Sequence, residues 1–140
     1  MPRIVPGISP AEAAAELLRR DEARKDPAKF TEFVFPFKPA RHHRLMLSVL
    51  NEALHGGQDR ILLCAPPGHG KSHYTSIVFP AYCLGVKKEF RLIAATHTSD
   101  LANKWSRRVR AAVGGDQFRR LFDFGLQPNS QAVERWETTA

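Results

Sequence analysis

Residues 60–72 read RILLCAPPGHGKS, and the fold predicted for this chain follows mainly from them. The first part of this stretch, RILLCA at 60–65, is an apolar run of strand length, as is typical of a strand buried in a parallel sheet. Its last part is a glycine-rich loop that ends in Gly-Lys-Ser, and a helix is predicted to begin at Lys71. A strand, a glycine-rich loop and a helix in this order indicate a loop that binds phosphate groups.

The chemistry of this loop depends on backbone N–H groups and on one lysine. Phosphate oxygens bind where consecutive N–H groups converge at the start of a helix. Because Pro66 and Pro67 have no N–H, the donors are the residues that follow them, and the glycines among these supply the backbone freedom that the curve requires. Ala65 stands where such loops usually begin with glycine, but it removes no donor.

We therefore predict that ATP with Mg²⁺ binds at Pro67, Gly68, His69, Gly70, Lys71 and Ser72. Lys71 is the catalytic residue in this prediction, because its ammonium group would reach the β- and γ-phosphates. The hydroxyl of Ser72 would ligate Mg²⁺. The histidines near the loop do not predict a zinc site, since no further ligands stand at the spacing that zinc requires.

The segments after the loop complete the predicted fold. A helix is expected from Lys71 to about Leu84, with a kink near Pro80. RLIAAT at 91–96 has the pattern of a second buried strand, and a helix capped by Thr98 or Ser99 is predicted to follow, to about 113. Strands that alternate with helices predict an α/β fold with a parallel sheet and flanking helices.

Upstream of the loop the pattern is helical. Ser9 and Glu12 form a capping box that predicts a helix to Lys25, and Asp26-Pro27 predicts the start of a short second helix. An extended connector over 33–40 and an amphipathic helix over 40–55 follow. We expect residues 1–35 to form an N-terminal helical appendage and residues 36–140 to form the nucleotide-binding part.

The charge of the chain is concentrated near its C-terminal end. The net charge is +7, and residues 101–120 carry six cations against the single anion Asp116. On the helix predicted there, Lys104, Arg107 and Arg110 lie opposite an apolar face. Such a basic face is either a solvated surface, a contact for the backbone of nucleic acid, or a charge presented to phosphates on a neighbouring subunit.

The cysteines and the hydropathy pattern indicate the compartment. Cys64 and Cys83 both lie in apolar segments and are predicted to be buried thiols rather than a disulfide. No apolar run approaches the ~20 residues that a membrane span requires. The N-terminus has no apolar region typical of a secretory signal, so we expect an intracellular protein.

Several segments in a fixed order resemble one protein family. They are His42-His43 before an amphipathic helix, RILLCAPPGHGKS, VFPAYCLG, RLIAAT, THTSDLANKWSRRVR and RWETT. Over about residues 33–140 the chain resembles the N-terminal ATPase region of the large terminase subunit, the DNA-packaging motor of tailed bacteriophages. Members of this family commonly lack the first glycine of the phosphate-binding loop, as this chain does at Ala65.

The resemblance implies an additional-strand P-loop ATPase fold and ATP-driven translocation of double-stranded DNA into a capsid. It also implies a homo-oligomeric ring in the host cytoplasm, seated on the portal protein of the procapsid and working with the small terminase subunit. Lys71 and Ser72 match the family's phosphate and Mg²⁺ residues. The segment from Phe37 to His43 matches the region near the adenine.

The chain departs from the family pattern after residue 100, where no apolar run ends in paired acidic residues. The family's C-terminal nuclease domain has no counterpart either. We therefore expect a truncated ATPase domain that binds ATP and hydrolyses little of it alone. Two alternatives remain, which are a helicase-like ATPase and a nucleic-acid-binding module that holds nucleotide without turnover.

Overall fold

The computed structural model of this protein describes residues 7–57, 60–129 and 132–139. The first six residues of the predicted appendage lie outside these ranges. The described chain is mainly helical, with α1 (Pro10–Lys25), α2 (Pro27–Val34), α3 (Arg41–Leu54), α4 (Lys71–His73), α5 (Phe79–Val86), α6 (Ser99–Val113) and α7 (Asp116–Phe122). A π-helical segment (Tyr74–Val78) joins α4 to α5 without interruption, and we call these three segments together the loop helix.

The prediction of an α/β fold with a parallel sheet is wrong. The described residues contain no β-strand and only one isolated antiparallel bridge, between Leu126 and Thr138. The predicted strands over 60–65 and 91–96 are neither helix nor strand, and their side chains are exposed or half-buried, with Leu62 88% exposed and Ile93 94% exposed. The sheet of an additional-strand P-loop ATPase is therefore not present in the described chain.

The physical reason for this difference is that a strand needs a neighbour. An apolar run favours burial, but the ladder hydrogen bonds of a strand must be made with a second extended segment. Among the described residues, no backbone segment supplies these bonds to 60–65 or to 91–96. The two apolar runs therefore form connections on the surface.

The core of the protein is built by helices from both ends of the chain. Phe30 of α2 is completely buried, and its ring meets Tyr82 of α5 edge-on with 5.4 Å between centroids. The ring of Phe118, from α7, packs edge-on against Phe30 from another side at 6.4 Å. Such aromatic pairs are worth about 0.5–1.5 kcal/mol beyond their buried area. The predicted division at residue 35 stays a prediction, but α1 and α2 share one core with the later helices.

The helix starts follow the local sequence closely. The Ser9 backbone N–H donates to the Glu12 carboxylate at 2.8 Å and the Glu12 N–H donates to Ser9 Oγ at 3.2 Å, so the predicted capping box is confirmed. Thr98 caps α6 by accepting from the N–H of Leu101 at 3.4 Å. α6 ends at Val113, before the two glycines that predicted its end.

The loop helix differs from the predicted kinked helix. Its π-helical segment ends at Val78, two residues before Pro80. Proline cannot donate to the carbonyl four residues earlier, and a π-helical turn is one way to absorb that missing bond. The sequence predicted an irregular turn near Pro80, and the structure has one within a few residues of it, as a π-helical segment rather than a kink.

The two thiols differ in their surroundings. Cys83 is buried in α5, and this burial raises the pKa of its thiol to about 12. Cys64 is exposed, in a connection between helices rather than in a buried strand. The prediction of burial is therefore confirmed for Cys83 and wrong for Cys64. Within the described ranges, no helix combines the length and the apolar character needed to cross a bilayer.

Candidate nucleotide-binding site

The backbone of the glycine-rich loop turns sharply into the loop helix. Gly68 and Gly70 adopt positive φ angles of 81° and 70°, in the left-handed region that favours glycine. Gly70 is the N-cap of α4, so the helix begins at Lys71 as the sequence predicts. The helix start is stabilised by a bond from the Tyr74 N–H to the Gly70 carbonyl at 3.1 Å.

The loop presents free backbone donors at this helix start. Among the described residues, no acceptor receives a hydrogen bond from the backbone N–H groups of Gly68, His69, Gly70, Lys71 and Ser72. The first N–H groups of a helix have no partner within the helix itself. The stretch is exposed or half-buried throughout, so an anion has access to it.

Lys71 lies across the entrance of the loop. Its Nζ donates a hydrogen bond to the carbonyl oxygen of Ala65 at 3.3 Å, which joins the last part of the loop to its beginning. The side chain is therefore folded over the loop rather than extended into solvent. Thr75 supports the lysine backbone, because its hydroxyl donates to the Lys71 carbonyl at 3.0 Å.

The two prolines shape the loop without donating to a ligand. Pro66 and Pro67 are both exposed. The Pro67 carbonyl accepts a hydrogen bond from Nδ1 of His69 at 3.1 Å, so its polar group faces the following histidine. Pro67 was predicted as part of the binding stretch, and its contribution is a rigid turn rather than a donor.

The structure adds a histidine and a tyrosine that the loop motif did not identify. Nε2 of His43 lies 2.8 Å from the His69 carbonyl oxygen. The His43 ring also stacks on Tyr74, with centroids 4.0 Å apart and the planes 22° from parallel. The sequence placed His43 only within the segment matched to an adenine region. The sequence shows a histidine in the first turn of α3, but no neighbouring residue indicates that its ring contacts the glycine-rich loop.

A cleft of about 570 Å³ opens beside the loop helix. It is lined by residues from four parts of the chain, namely Val34, Phe35, His73, Ile77, Arg108, Ala111, Ala112, Gly115, Asp116 and Gln117. Nε2 of His73 is buried and has no hydrogen-bond partner among the described residues. Burial, followed by the charge of Arg108, lowers the pKa of His73 below its usual value.

The basic residues predicted for nucleic acid differ in exposure. Lys104 and Arg107 are exposed on α6, whose buried side is formed by Val109 and Val113. Arg110 is half-buried and already engaged in an interaction within the chain. The predicted set is thus divided, with two cations on the surface and one turned partly into the protein.

The residues near the loop fit Mg²⁺ in one respect. The Ser72 side chain is exposed, and its hydroxyl makes no hydrogen bond to another described residue. In the described ranges, no group of three or more His, Cys, Asp or Glu side chains could hold a metal ion. Mg²⁺ usually takes few protein ligands and completes its shell with phosphate oxygens and water, so a single hydroxyl is compatible with a nucleotide-bound ion.

No family model, no curated protein and no solved structure matches this chain. The likeness to the large terminase subunit therefore stays a prediction made from the sequence segments.

Proposed function

We propose that this chain binds ATP with Mg²⁺ through the loop from Pro67 to Ser72. The observation that carries the proposal is the set of free N–H groups over 68–72, which precede and begin a continuous helical segment with Lys71 folded across the loop. Convergent N–H groups at a helix start form an anion site, and the lysine adds a full positive charge. The proposal rests on this local geometry and requires no sheet.

Each residue of the loop has a defined task in this proposal. The N–H groups of Gly68, His69 and Gly70 donate hydrogen bonds to phosphate oxygens. The Lys71 ammonium exchanges the Ala65 carbonyl for the β- and γ-phosphates, which offer a charge-assisted bond in place of a neutral one. The hydroxyl of Ser72 is one ligand of Mg²⁺, and the ion neutralises phosphate charge when bound.

We further propose that nucleotide binding serves a DNA-packaging motor of the large terminase type. This part rests on the sequence segments that resemble the family and on the exposed cations Lys104 and Arg107. In the proposed assembly several copies form a ring around double-stranded DNA, with the portal protein and the small terminase subunit as partners. The exposed side of α6 would contact the DNA backbone.

The test of nucleotide binding compares Lys71→Ala with a matched lysine elsewhere. Titration with a fluorescent ATP analogue and Mg²⁺ is expected to show a loss of roughly 10- to 150-fold in affinity for Lys71→Ala, because a charge-assisted bond is removed. Lys88→Ala is the control, since Lys88 is exposed beyond the end of the loop helix. Equal affinities for the wild type and Lys71→Ala would contradict the proposal.

A further inference from the structure

We propose that His43 is a positioning residue for the phosphate-binding loop, and this inference rests on the proposed function of that loop. The imidazole is held at the start of α3 and donates a hydrogen bond to the His69 carbonyl. That bond sets the orientation of the peptide unit between His69 and Gly70, and with it the direction of the Gly70 N–H.

The two hydrogen bonds of His43 determine which ring nitrogen donates and which accepts. The Ala40 backbone N–H can only donate, and it lies 3.1 Å from Nδ1, so Nδ1 must carry the lone pair. In a neutral imidazole the proton is then on Nε2, which donates to the His69 carbonyl oxygen at 2.8 Å. Both ring nitrogens are satisfied, and each fixes the role of the other.

The consequence for the loop follows from the planarity of the peptide bond. In a trans peptide the carbonyl and the next N–H point in opposite directions. Because the His69 carbonyl points at His43, the Gly70 N–H points away from it, and it has no acceptor among the described residues. If this peptide rotated, a carbonyl oxygen would face the phosphates and repel them.

The surroundings hold the His43 ring in place. One face stacks on Tyr74, which is itself only 4% exposed and therefore anchored in the core. A Cβ on Gly70 would lie 2.9 Å from Nε2 of His43, closer than real Cβ contacts come. Glycine is thus required at position 70 both by its positive φ and by the close approach of this ring.

A simpler role for His43 is to cap α3 alone, and two substitutions separate the roles. The amide oxygen of asparagine occupies the place of Nδ1, so His43→Asn can still accept the bond from the Ala40 N–H. Its shorter side chain has no donor in the place of Nε2, so the bond to the His69 carbonyl is lost. The amide nitrogen of glutamine occupies the place of Nε2, so His43→Gln retains a donor to the His69 carbonyl. A capping residue tolerates asparagine, whereas a positioning residue for the loop does not.

The experiment measures the affinity of the full chain for a fluorescent ATP analogue with Mg²⁺. We expect His43→Asn to weaken binding roughly 3- to 10-fold, the range that one net hydrogen bond allows. His43→Gln is expected to stay within about twofold of the wild type, as is the control His55→Asn, since His55 is exposed at the opposite end of α3. Wild-type affinity in His43→Asn, with thermal unfolding confirming that it is folded, would overturn the inference.

A second readout uses the nucleotide-free chain and separates this inference from the proposed function. Long-range ¹H–¹⁵N spectra should show the neutral His43 ring protonated on Nε2, and the Gly70 amide resonance should shift in His43→Asn but little in His43→Gln. If these signals appear and the wild type binds no nucleotide, the proposed function fails while the positioning by His43 stands. A Gly70 resonance unchanged in His43→Asn would overturn the positioning whatever the affinity.

Discussion

His73 lies where a positive charge is unfavourable. Its ring packs edge-on against Phe37 at 4.9 Å, and it lines the cleft together with the guanidinium-bearing Arg108. Burial is the main cause of its lowered pKa, and repulsion from the charge of Arg108 adds to it. The neutral imidazole is therefore the form that the folded chain favours.

This lowered pKa predicts a pH dependence of stability. The unfolded chain binds a proton on His73 at a higher pH than the folded chain does. The free energy of unfolding therefore rises with pH between the lowered pKa of the folded chain and the usual pKa of the unfolded chain. Acidification from above the usual value of 6.5 toward the lower folded value should therefore destabilise the protein. Urea unfolding between about pH 7.5 and 5 is expected to show a smaller acid-induced loss for His73→Gln than for the wild type.

The matched control for this measurement is His97→Gln, because His97 is exposed in the connection before α6. This variant should keep the pH dependence of the wild type. If His73→Gln and the wild type lose equal stability on acidification, the surroundings of His73 do not disfavour its charged form.

Helices and strands differ in how much of the sequence determines them: a helix start depends on residues within one turn, and a strand depends on a distant partner. The start of α1 is decided by Ser9 and Glu12, and the start of α6 by Thr98, all within one turn of the helix. The loop helix begins at Lys71 because Gly70 adopts a left-handed conformation next to it. These bonds are local, so the sequence predicted where these three helices begin. α7 was not predicted, since no capping side chain marks its start.

The apolar runs show why the sheet could not be predicted in the same way. RILLCA and RLIAAT have the composition of strands, but pairing depends on a distant segment that composition does not identify. The contact between His43 and the loop joins residues 26 positions apart, and no local pattern encodes it. Bonds within one turn are therefore predictable from the sequence, whereas partners that only the folded chain brings together are not.

The exposure of these runs makes a direct prediction about stability. Ile93→Ser should change the free energy of unfolding by less than about 0.5 kcal/mol, as at other surface sites. Leu121→Ala, at a fully buried position of α7, should lower it by about 2–5 kcal/mol. Chemical denaturation of both variants is the measurement. A loss for Ile93→Ser as large as that for Leu121→Ala would show that residues 91–96 are buried in a layer such as a sheet.

For the protein as a whole, the net charge determines which kinds of partner it attracts. The net charge of +7 attracts polyanions, and α6 directs part of it outward through Lys104 and Arg107. The same helix turns Val109 and Val113 into the core, so its basic side can be changed without disturbing packing. Arg110 is unsuitable for such a test because it is half-buried and interacts within the chain.

Contact between α6 and the DNA backbone predicts a binding that ignores sequence and weakens steeply with salt. Each phosphate contact releases condensed counterions, so its loss should flatten the slope of log K against log salt by about 0.9. Lys104→Ala/Arg107→Ala is therefore expected to reduce the slope by about 1.8 in duplex-DNA titrations. Lys29→Ala/Lys88→Ala removes the same charge from exposed positions outside α6 and serves as the control. If both double variants lower the slope equally, net charge alone attracts the DNA. If the α6 variant keeps the wild-type slope, its cations are solvated or face phosphates on a neighbouring subunit, and DNA is held elsewhere.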